Sequence, residues 1–519
     1  MEYKPLAIGT EDFKKLIQNE CYYVDKTLLV KELLDKKSEV SLFTRPRRFG
    51  KTLNLSMLQY FFEDTGDNAV NEENRRLFDE LAIAGAGEKY TANMQQYPVI
   101  SLTLKSAKQA NFEYAFERLK ESIAGEFARH EDVVAPALKN VEDAEKYRAI
   151  RGRKADDADY YSAVAFLSDC LRKAYGKKCI ILLDEYDVPL ENSYYRGFYD
   201  EMIDFIRSLF ESALKTNPNL EFAVITGCLR ISGESVFTGL NNLEVISIRN
   251  QMYSEYFGFT QDEVREMLAY YDRSEHIETI RKWYDGYLFN RIEIYNPWSI
   301  LKYVNDRKDH VTEFALPYWS NTSSNSIIRE MVGEADEEAK EDLETLINGG
   351  TIEKRVHEDI TYGDIHQTQD NLWNFLFFTG YLKKISERED ESGETLYLSM
   401  AIPNTEIKTI YKNSIAYWFE QRMKETDRSP LKHALETGDC EAAEDFINRQ
   451  LADTISYYDY AENFYHGFMA GLLVNIGDYS VKSNRESGNG RPDIVMTESK
   501  FRGRAMILEL KISDTIQGM

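Results

Sequence analysis

The sequence predicts an α/β fold. It consists of a mostly parallel sheet flanked by helices around a phosphate-binding loop, then a mainly helical middle region, then a smaller C-terminal α/β domain. Three observations carry this. The β-rich run "EVSLFTRP" leads into Gly50, Lys51 and Thr52, and a helical stretch follows. The apolar run "CIILL" ends on Asp184 and Glu185, as a buried parallel strand does. Strand candidates alternate with helical segments from about residue 40 to about residue 250.

At 519 residues the chain is too long for one ordinary core. Hydrophobic content of 43% with 29% charged residues marks a globular chain. The net charge of −25 excludes a surface that coats nucleic acid, so any polyanion site must be a local basic patch. The five cysteines are scattered and lack C-x-x-C spacing, so they suggest neither a zinc knuckle nor a disulfide framework. The N-terminus "MEYKPLAIGTEDF" lacks an apolar signal region, and runs such as "FLFFTGYL" are too short to span a bilayer. The expectation is a soluble, cytoplasmic protein with no membrane partner.

Element by element, residues 11–37 read as two helical pieces. After the loop, "TLNLSMLQYFFED" carries Leu53, Met57, Tyr60 and Phe61 at helical spacing. "YPVISLTL" (97–104) is a second strand candidate, and 107–175 is charged with helical periodicity. Beyond "KKCIILLDEYDVPL" (177–190), one helical face holds Phe198, Met202, Phe205, Ile206 and Leu209. "LEFAVITGCLRIS" (220–232) and "LEVISI" (243–248) are β-rich. These elements place an α/β domain at 1–255. Thr260 and Glu263 form a capping box that opens the middle region, 256–430. That region holds the aromatic-rich "KWYDGYLFNRIEIYNPWSIL", an acidic helix over 330–347 and a strand-like "ETLYLSMAIP". The last region, 431–519, begins helical and ends in a β-rich tail.

"FTRPRRFGKT" ends as a phosphate-binding loop ends, but Arg45 stands where the pattern has its first glycine. Gly50 lets backbone approach a phosphate, Lys51 reaches the β/γ-phosphates, and Thr52 binds Mg²⁺. Arg45, Pro46, Arg47, Arg48 and Phe49 must then form the turn with side chains attached. The three arginines either add charge beside the phosphates or pair with nearby acids. Asp184, at a strand end, suits Mg²⁺, and Glu185 suits orientation and deprotonation of water. Thr226, ending a strand, is a candidate γ-phosphate sensor. Arg230 is a candidate to offset developing charge, with Arg249 a weaker one. Together these residues point to ATP with Mg²⁺.

A second constellation lies in the tail. Asp493 in "GRPDIV" precedes Glu509 and Lys511 in "ILELKIS". Strand alternation puts Glu509 and Lys511 on one face, with Asp493 one strand away. The two carboxylates suit Mg²⁺, and the lysine suits charge on a scissile phosphate. Glu462, on a helical stretch, offers a third carboxylate. His466 reads as a packed or capping histidine, and Glu486 as a hairpin-tip residue between Arg485 and Arg491.

At these residues the chain resembles a known family. "YYVDKT", "LFTRPRRFGKTLNLSML", "LLDEYDVPL", "EMIDFIRSLFESALKTNPNLEFAVITGCLRISGESVFTGLNNL" and "WYDGYLF…YNPWSIL" are similar to the AAA-ATPase-like proteins of bacteria and archaea. The resemblance covers nearly the whole chain. It implies a P-loop NTPase domain of the ASCE/AAA-like kind, followed by a restriction-endonuclease-like domain of the PD-(D/E)XK superfamily. It implies Lys51, Thr52, Asp184 and Glu185 as nucleotide residues, and Asp493, Glu509 and Lys511 as a nuclease triad with Glu462 as the helical acid. It also implies that the arginine-rich loop start is usual. The function expected is ATP binding and hydrolysis coupled to action on DNA or RNA. The alternative is a nucleotide-driven switch or remodeller that does not cut. A homo-oligomer stays open. The nuclease-like core runs helix, three strands, helix, strand, and this sequence stops eight residues after Lys511, so that domain is expected to be incomplete.

Overall fold

A computed structural model describes residues 3–509, apart from 230–235, 238–239, 310–311, 313, 322–325, 335, 357–367, 453–468, 470–471, 474–475, 477, 484–492, 499 and 501. The chain divides into two compact units, Met1–Trp319 with Glu353–Ile407, and Ser320–Ile352 with Lys408–Met519.

The first unit is built on a parallel sheet. Its strands are β1 (Val40–Thr44), β2 (Val99–Thr103), β3 (Cys179–Asp184), β4 (Leu220–Gly227) and β5 (Leu243–Ile246). The order is β2-β3-β4-β1-β5, so β4 lies between the strand that feeds the loop and the strand that ends on Asp184. Every residue of β1 and β3 is buried, as their unbroken apolar runs require for strands covered on both faces. The helices Lys51–Phe62, Phe112–Arg129, Ala163–Tyr175 and Tyr199–Leu214 pack on the sheet. In Tyr199–Leu214 the expected Met202, Phe205, Ile206 and Leu209 are all buried. Phe43 pairs with Thr226 across β1 and β4, and Leu183 pairs with Ile225 across β3 and β4. The carboxyl ends of the three central strands therefore finish level, which is where open α/β sheets bind ligands.

The expected borders at 255 and 430 are not the borders of these units. Residues 256–319 belong to the first unit because their aromatic side chains complete its packing. There β6 (Phe259–Thr260), β7 (Tyr287–Phe289) and β8 (Ile292–Tyr295) form an antiparallel sheet ordered β6-β8-β7. A core of Val264, Met267, Leu268, Tyr271, Ile280, Tyr284 and Tyr303 lies beside it. The capping box forms as expected: the Thr260 hydroxyl accepts from the Glu263 N–H, and the Glu263 carboxylate accepts from the Thr260 N–H. Glu263 also takes buried Lys26 of the "YYVDKT" segment at 2.5 Å, which binds the N-terminal region to this helix. The middle region is mainly helical, as expected, and the strand-like "ETLYLSMAIP" does form a strand. It also holds β9 (Ile352–Arg355), β10 (Lys383–Glu389) and β11 (Leu396–Ala401), ordered β10-β11-β9.

In the second unit, helices Ser429–Thr437 and Cys440–Ala452 precede three antiparallel strands. These are β12 (Tyr479–Ser483), β13 (Ile494–Glu498) and β14 (Ala505–Leu508), in the order β12-β13-β14. Leu431, Phe446, Leu472, Leu473, Ile494 and Met496 form their common core. Ile494 and Met496 alternate inward along β13, the period of a half-buried strand.

Glu406, in the first unit, is fully buried. It accepts from the Ser299 hydroxyl at 2.8 Å and from the Trp319 N–H at 2.9 Å. Burial pushes its carboxyl from 4.5 up to about 8. The folded chain therefore holds this proton over a range in which the unfolded chain has released it. The stability it contributes is whole below about 4.5 and is lost as pH rises towards about 8. Thermal unfolding should show the wild-type midpoint falling between about pH 5 and about pH 8 more steeply than that of Glu406→Gln. Equal slopes in the two proteins would contradict this account of Glu406.

Candidate functional site

The loop begins where β1 ends. The chain turns through residues 45–50 and enters the helix Lys51–Phe62, with Gly50 as its N-cap. Arg48 at φ 70° and Gly50 at φ 83° both lie in the left-handed region. A Cβ on Gly50 would meet nothing within 4 Å, so the backbone angle rather than space favours glycine there. Lys51 is buried, and its ammonium donates to the carbonyls of Arg45 at 2.9 Å and Pro46 at 3.0 Å. It also lies 3.6 Å from the Cys228 sulfur. The lysine thus folds over its own loop, beside the start of a helix whose first N–H groups attract anions.

Asp184 joins the three strand ends. Its Oδ2 accepts from the Thr52 hydroxyl at 2.7 Å, and its Oδ1 accepts from the Thr226 hydroxyl. The hydroxyl of Thr226, the candidate phosphate sensor, is buried and donates to this carboxylate. The Thr52 hydroxyl and the Asp184 carboxylate are hard oxygen donors at the loop, a set that fits Mg²⁺. Glu185, next in the chain, is half-buried and left-handed at φ 51°. A non-glycine residue held there stores roughly 1–2 kcal/mol, and such strain gathers at functional sites. Burial and the neighbouring Asp184 raise the Glu185 carboxyl above its usual range, while Lys51 and Lys105 oppose the rise. A raised carboxyl suits a base that takes a proton from water.

Sequence reasoning did not assign Asp187 a role, although "DEYD" displays it. Its buried Oδ2 accepts from the N–H groups of Cys228 at 2.7 Å and Leu229 at 3.2 Å. The Tyr186 hydroxyl donates to the Leu229 carbonyl at 2.6 Å. A Cβ on Gly227 would lie 2.5 Å from the Tyr186 ring, so this clamp on the chain leaving β4 requires glycine.

The three arginines take three different places. Arg45 is fully buried, and its Nη1 donates to the carbonyls of Thr44 at 2.9 Å and Ile246 at 2.8 Å. Its guanidinium lies 5.3 Å from the Phe257 ring and 5.1 Å from the Phe289 ring. Its Nε and Nη2 have no partner among the described residues, and burial pulls its pKa down to about 9. Arg45 thus neither sets charge beside phosphates nor pairs with an acid, the two alternatives expected of the arginines, because the aromatic side chains hold the guanidinium inside. Phe49 is likewise an apolar anchor, 5.0 Å from Tyr287 and 5.4 Å from Phe289. Gly258 must lack a Cβ to admit it, since that atom would lie 2.9 Å from the Phe49 ring. Pro46 packs on Gly380. Arg47 pairs with Glu191, a partner that sequence spacing did not suggest. Arg48 is exposed and stacks 3.9 Å above Trp298. An exposed cation–π contact contributes about 0.5–1 kcal/mol. Hydrogen bonds to charged groups contribute about 1.5–3 kcal/mol, so phosphate oxygens would outcompete the ring for Arg48.

In the second unit Ile494 pairs with Leu508 across β13 and β14. Asp493 directly precedes β13 and Glu509 directly follows β14, so both lie at this end of the paired strands. Asp493 is half-buried and Glu509 exposed. Arg230, Glu462 and Lys511 lie outside the described residues, as do His466, Glu486, Arg485 and Arg491. Among the described residues no group of three or more His, Cys, Asp or Glu is arranged to hold a metal ion.

Residues 7–237 match the family described as "Predicted AAA-ATPase", and residues 460–518 match the PD-(D/E)XK nuclease superfamily. The chain is also 25% identical over 536 residues to a protein of Azotobacter chroococcum mcd 1 described as "Uncharacterized protein in vnfD 5'region". That match covers 99% of this chain and 90% of the relative.

A guanidinium buried without a carboxylate partner stabilises little, and an apolar side chain of similar volume replaces it at small cost. Arg45→Met should therefore unfold in denaturant within about 1 kcal/mol of the wild type. Arg45→Gly, which leaves a cavity between Phe257 and Phe289, should lose about 3 kcal/mol or more. A glycine variant as stable as the wild type would remove Arg45 from the core.

Proposed function

Because the chain joins an AAA-ATPase-like segment to a PD-(D/E)XK nuclease-superfamily segment, we infer that it binds and hydrolyses ATP and couples this to action on DNA or RNA. The observation that carries the reading is Asp184 accepting from Thr52 beside the buried Lys51. Residues 46–52 and the start of the helix Lys51–Phe62 receive the phosphates. Lys51 exchanges the carbonyls of Arg45 and Pro46 for phosphate oxygens. Thr52 and Asp184 hold Mg²⁺, which supplies charge neutralisation on the phosphates when bound. Glu185 orients the attacking water and takes its proton, and Arg230 offsets charge on the transferring group. Thr226 acts through Asp184, keeping that carboxylate in place.

In the second unit, Asp493 directly before β13 and Glu509 directly after β14 lie at the same end of two paired strands, which supports a shared divalent-metal site. Glu462 is a third carboxylate and Lys511 the positioning cation. The net charge of −25 favours a second reading, a nucleotide-driven switch or remodeller whose nuclease-like segment does not cut. No described helix is long and apolar enough to cross a membrane. We place the protein in the cytoplasm, and assembly of several copies is compatible with its AAA-like segment.

Steady-state hydrolysis of ATP with Mg²⁺ should fall at least about 100-fold in Lys51→Ala, and similarly in Glu185→Gln with nucleotide still bound. Because the Glu185 carboxyl is raised, wild-type turnover should fall on acidification at a higher pH than an ordinary carboxylate would set. Nicking of DNA or RNA that vanishes in Lys511→Ala would support the coupled reading. ATP turnover without nicking under any divalent metal would favour the switch. Turnover undiminished in Lys51→Ala would sink both.

A further inference from the structure

The motif "YNPWSIL" lies outside residues 7–237, and the nucleotide reading leaves it without a role. Its Trp298 is firmly placed. Its N–H donates to the Asn296 side chain at 2.9 Å, at the start of the helix Pro297–Lys308. The indole N–H donates to the Tyr318 carbonyl at 3.2 Å. The ring lies 3.8 Å from where a Cβ of Gly9 would sit, and Lys302 lies 5.4 Å from it. Against this fixed ring rests an exposed residue of the phosphate loop, Arg48. Partial burial against the ring lowers the Arg48 pKa, and the carboxylates of Glu11 and Glu185 oppose that lowering. A fixed ring holding an exposed, weakly bound cation beside a phosphate-binding loop is an arrangement that a phosphate can undo.

We propose that Trp298 is the resting seat of Arg48, and that phosphates arriving in the loop draw the guanidinium off the indole. The segment 256–319 thereby registers whether the loop is filled. The inference rests on the nucleotide reading above and adds to it the element that senses occupancy. Trp298 is a positioning residue: it touches no reacting atom and acts through Arg48. The indole competes with the phosphates for the guanidinium, so removing the ring should favour the filled loop. A purely structural tryptophan would do the opposite, because its loss would loosen the loop.

The test uses the full chain, with ATP and Mg²⁺ as the probe, binding read by calorimetry and tryptophan emission read in parallel. The wild type should change emission as it saturates. Trp298→Phe should lose that change while still binding. Arg48→Ala should lose it too and bind several-fold more weakly. Trp298→Ala should bind about two- to fivefold more tightly, the fold-change that a surface cation–π contact is worth. An emission change that survives intact in Trp298→Phe overturns the proposal, as does equal or weaker binding by a folded Trp298→Ala. Should Trp298→Ala fail to fold, the emission of Trp298→Phe decides alone. A wild type that binds ATP with Trp298 silent defeats this inference only. A wild type that binds no ATP defeats the nucleotide reading and this inference with it.

Discussion

The first unit depends on one carboxylate. Asp184 stands at the end of a fully buried strand and accepts from hydroxyls on two neighbours, Thr52 at the start of the loop helix and Thr226 at the end of β4. A carboxylate in such a place is costly unless hydrogen-bonded, and both partners are supplied by the strand order, which sets β4 between β1 and β3. The sheet's topology, the position of the loop and the candidate metal donors are therefore one arrangement. Changing the strand order would leave Asp184 without one of its two hydroxyls.

The loop solves a different problem. A phosphate-binding loop ordinarily relies on glycine for its tight turn, and here Arg45 stands at the first glycine's place. The backbone is held from outside instead. Arg45 is drawn between Phe257 and Phe289, Phe49 sits between Tyr287 and Phe289, and Pro46 lies on Gly380. These anchors come from residues beyond the segment matched as AAA-ATPase-like. The loop residues facing outward are then Arg47, tied to Glu191, and Arg48, lodged on Trp298. The arginine-rich sequence divides its labour: one side chain is a core anchor, one is an ion-pair partner, and one is a loosely held cation.

Much of this could be read from the sequence, for physical reasons. Unbroken apolar runs announced β1 and β3 because both are covered on two faces, and acids straight after such a run had to sit at a strand's end. The capping box at Thr260 was legible because its two hydrogen bonds are local. Arg45 was misread because charge normally marks the surface, and the rings that bury it arrive more than 200 residues later in the chain. Asp187 was hidden because its partners are backbone N–H groups of another strand's exit, which no side-chain pattern displays. The strands β6, β7 and β8 span only two to four residues each, too few for alternation to separate them from the helices around them.

The central claim is that the loop, Asp184 and Glu185 make a nucleotide site. The most direct measurement is calorimetric titration of the full chain with ATP, with and without Mg²⁺. The account predicts saturable binding, one nucleotide per chain, tightened by the metal. No binding at millimolar ATP, in either condition, would contradict it.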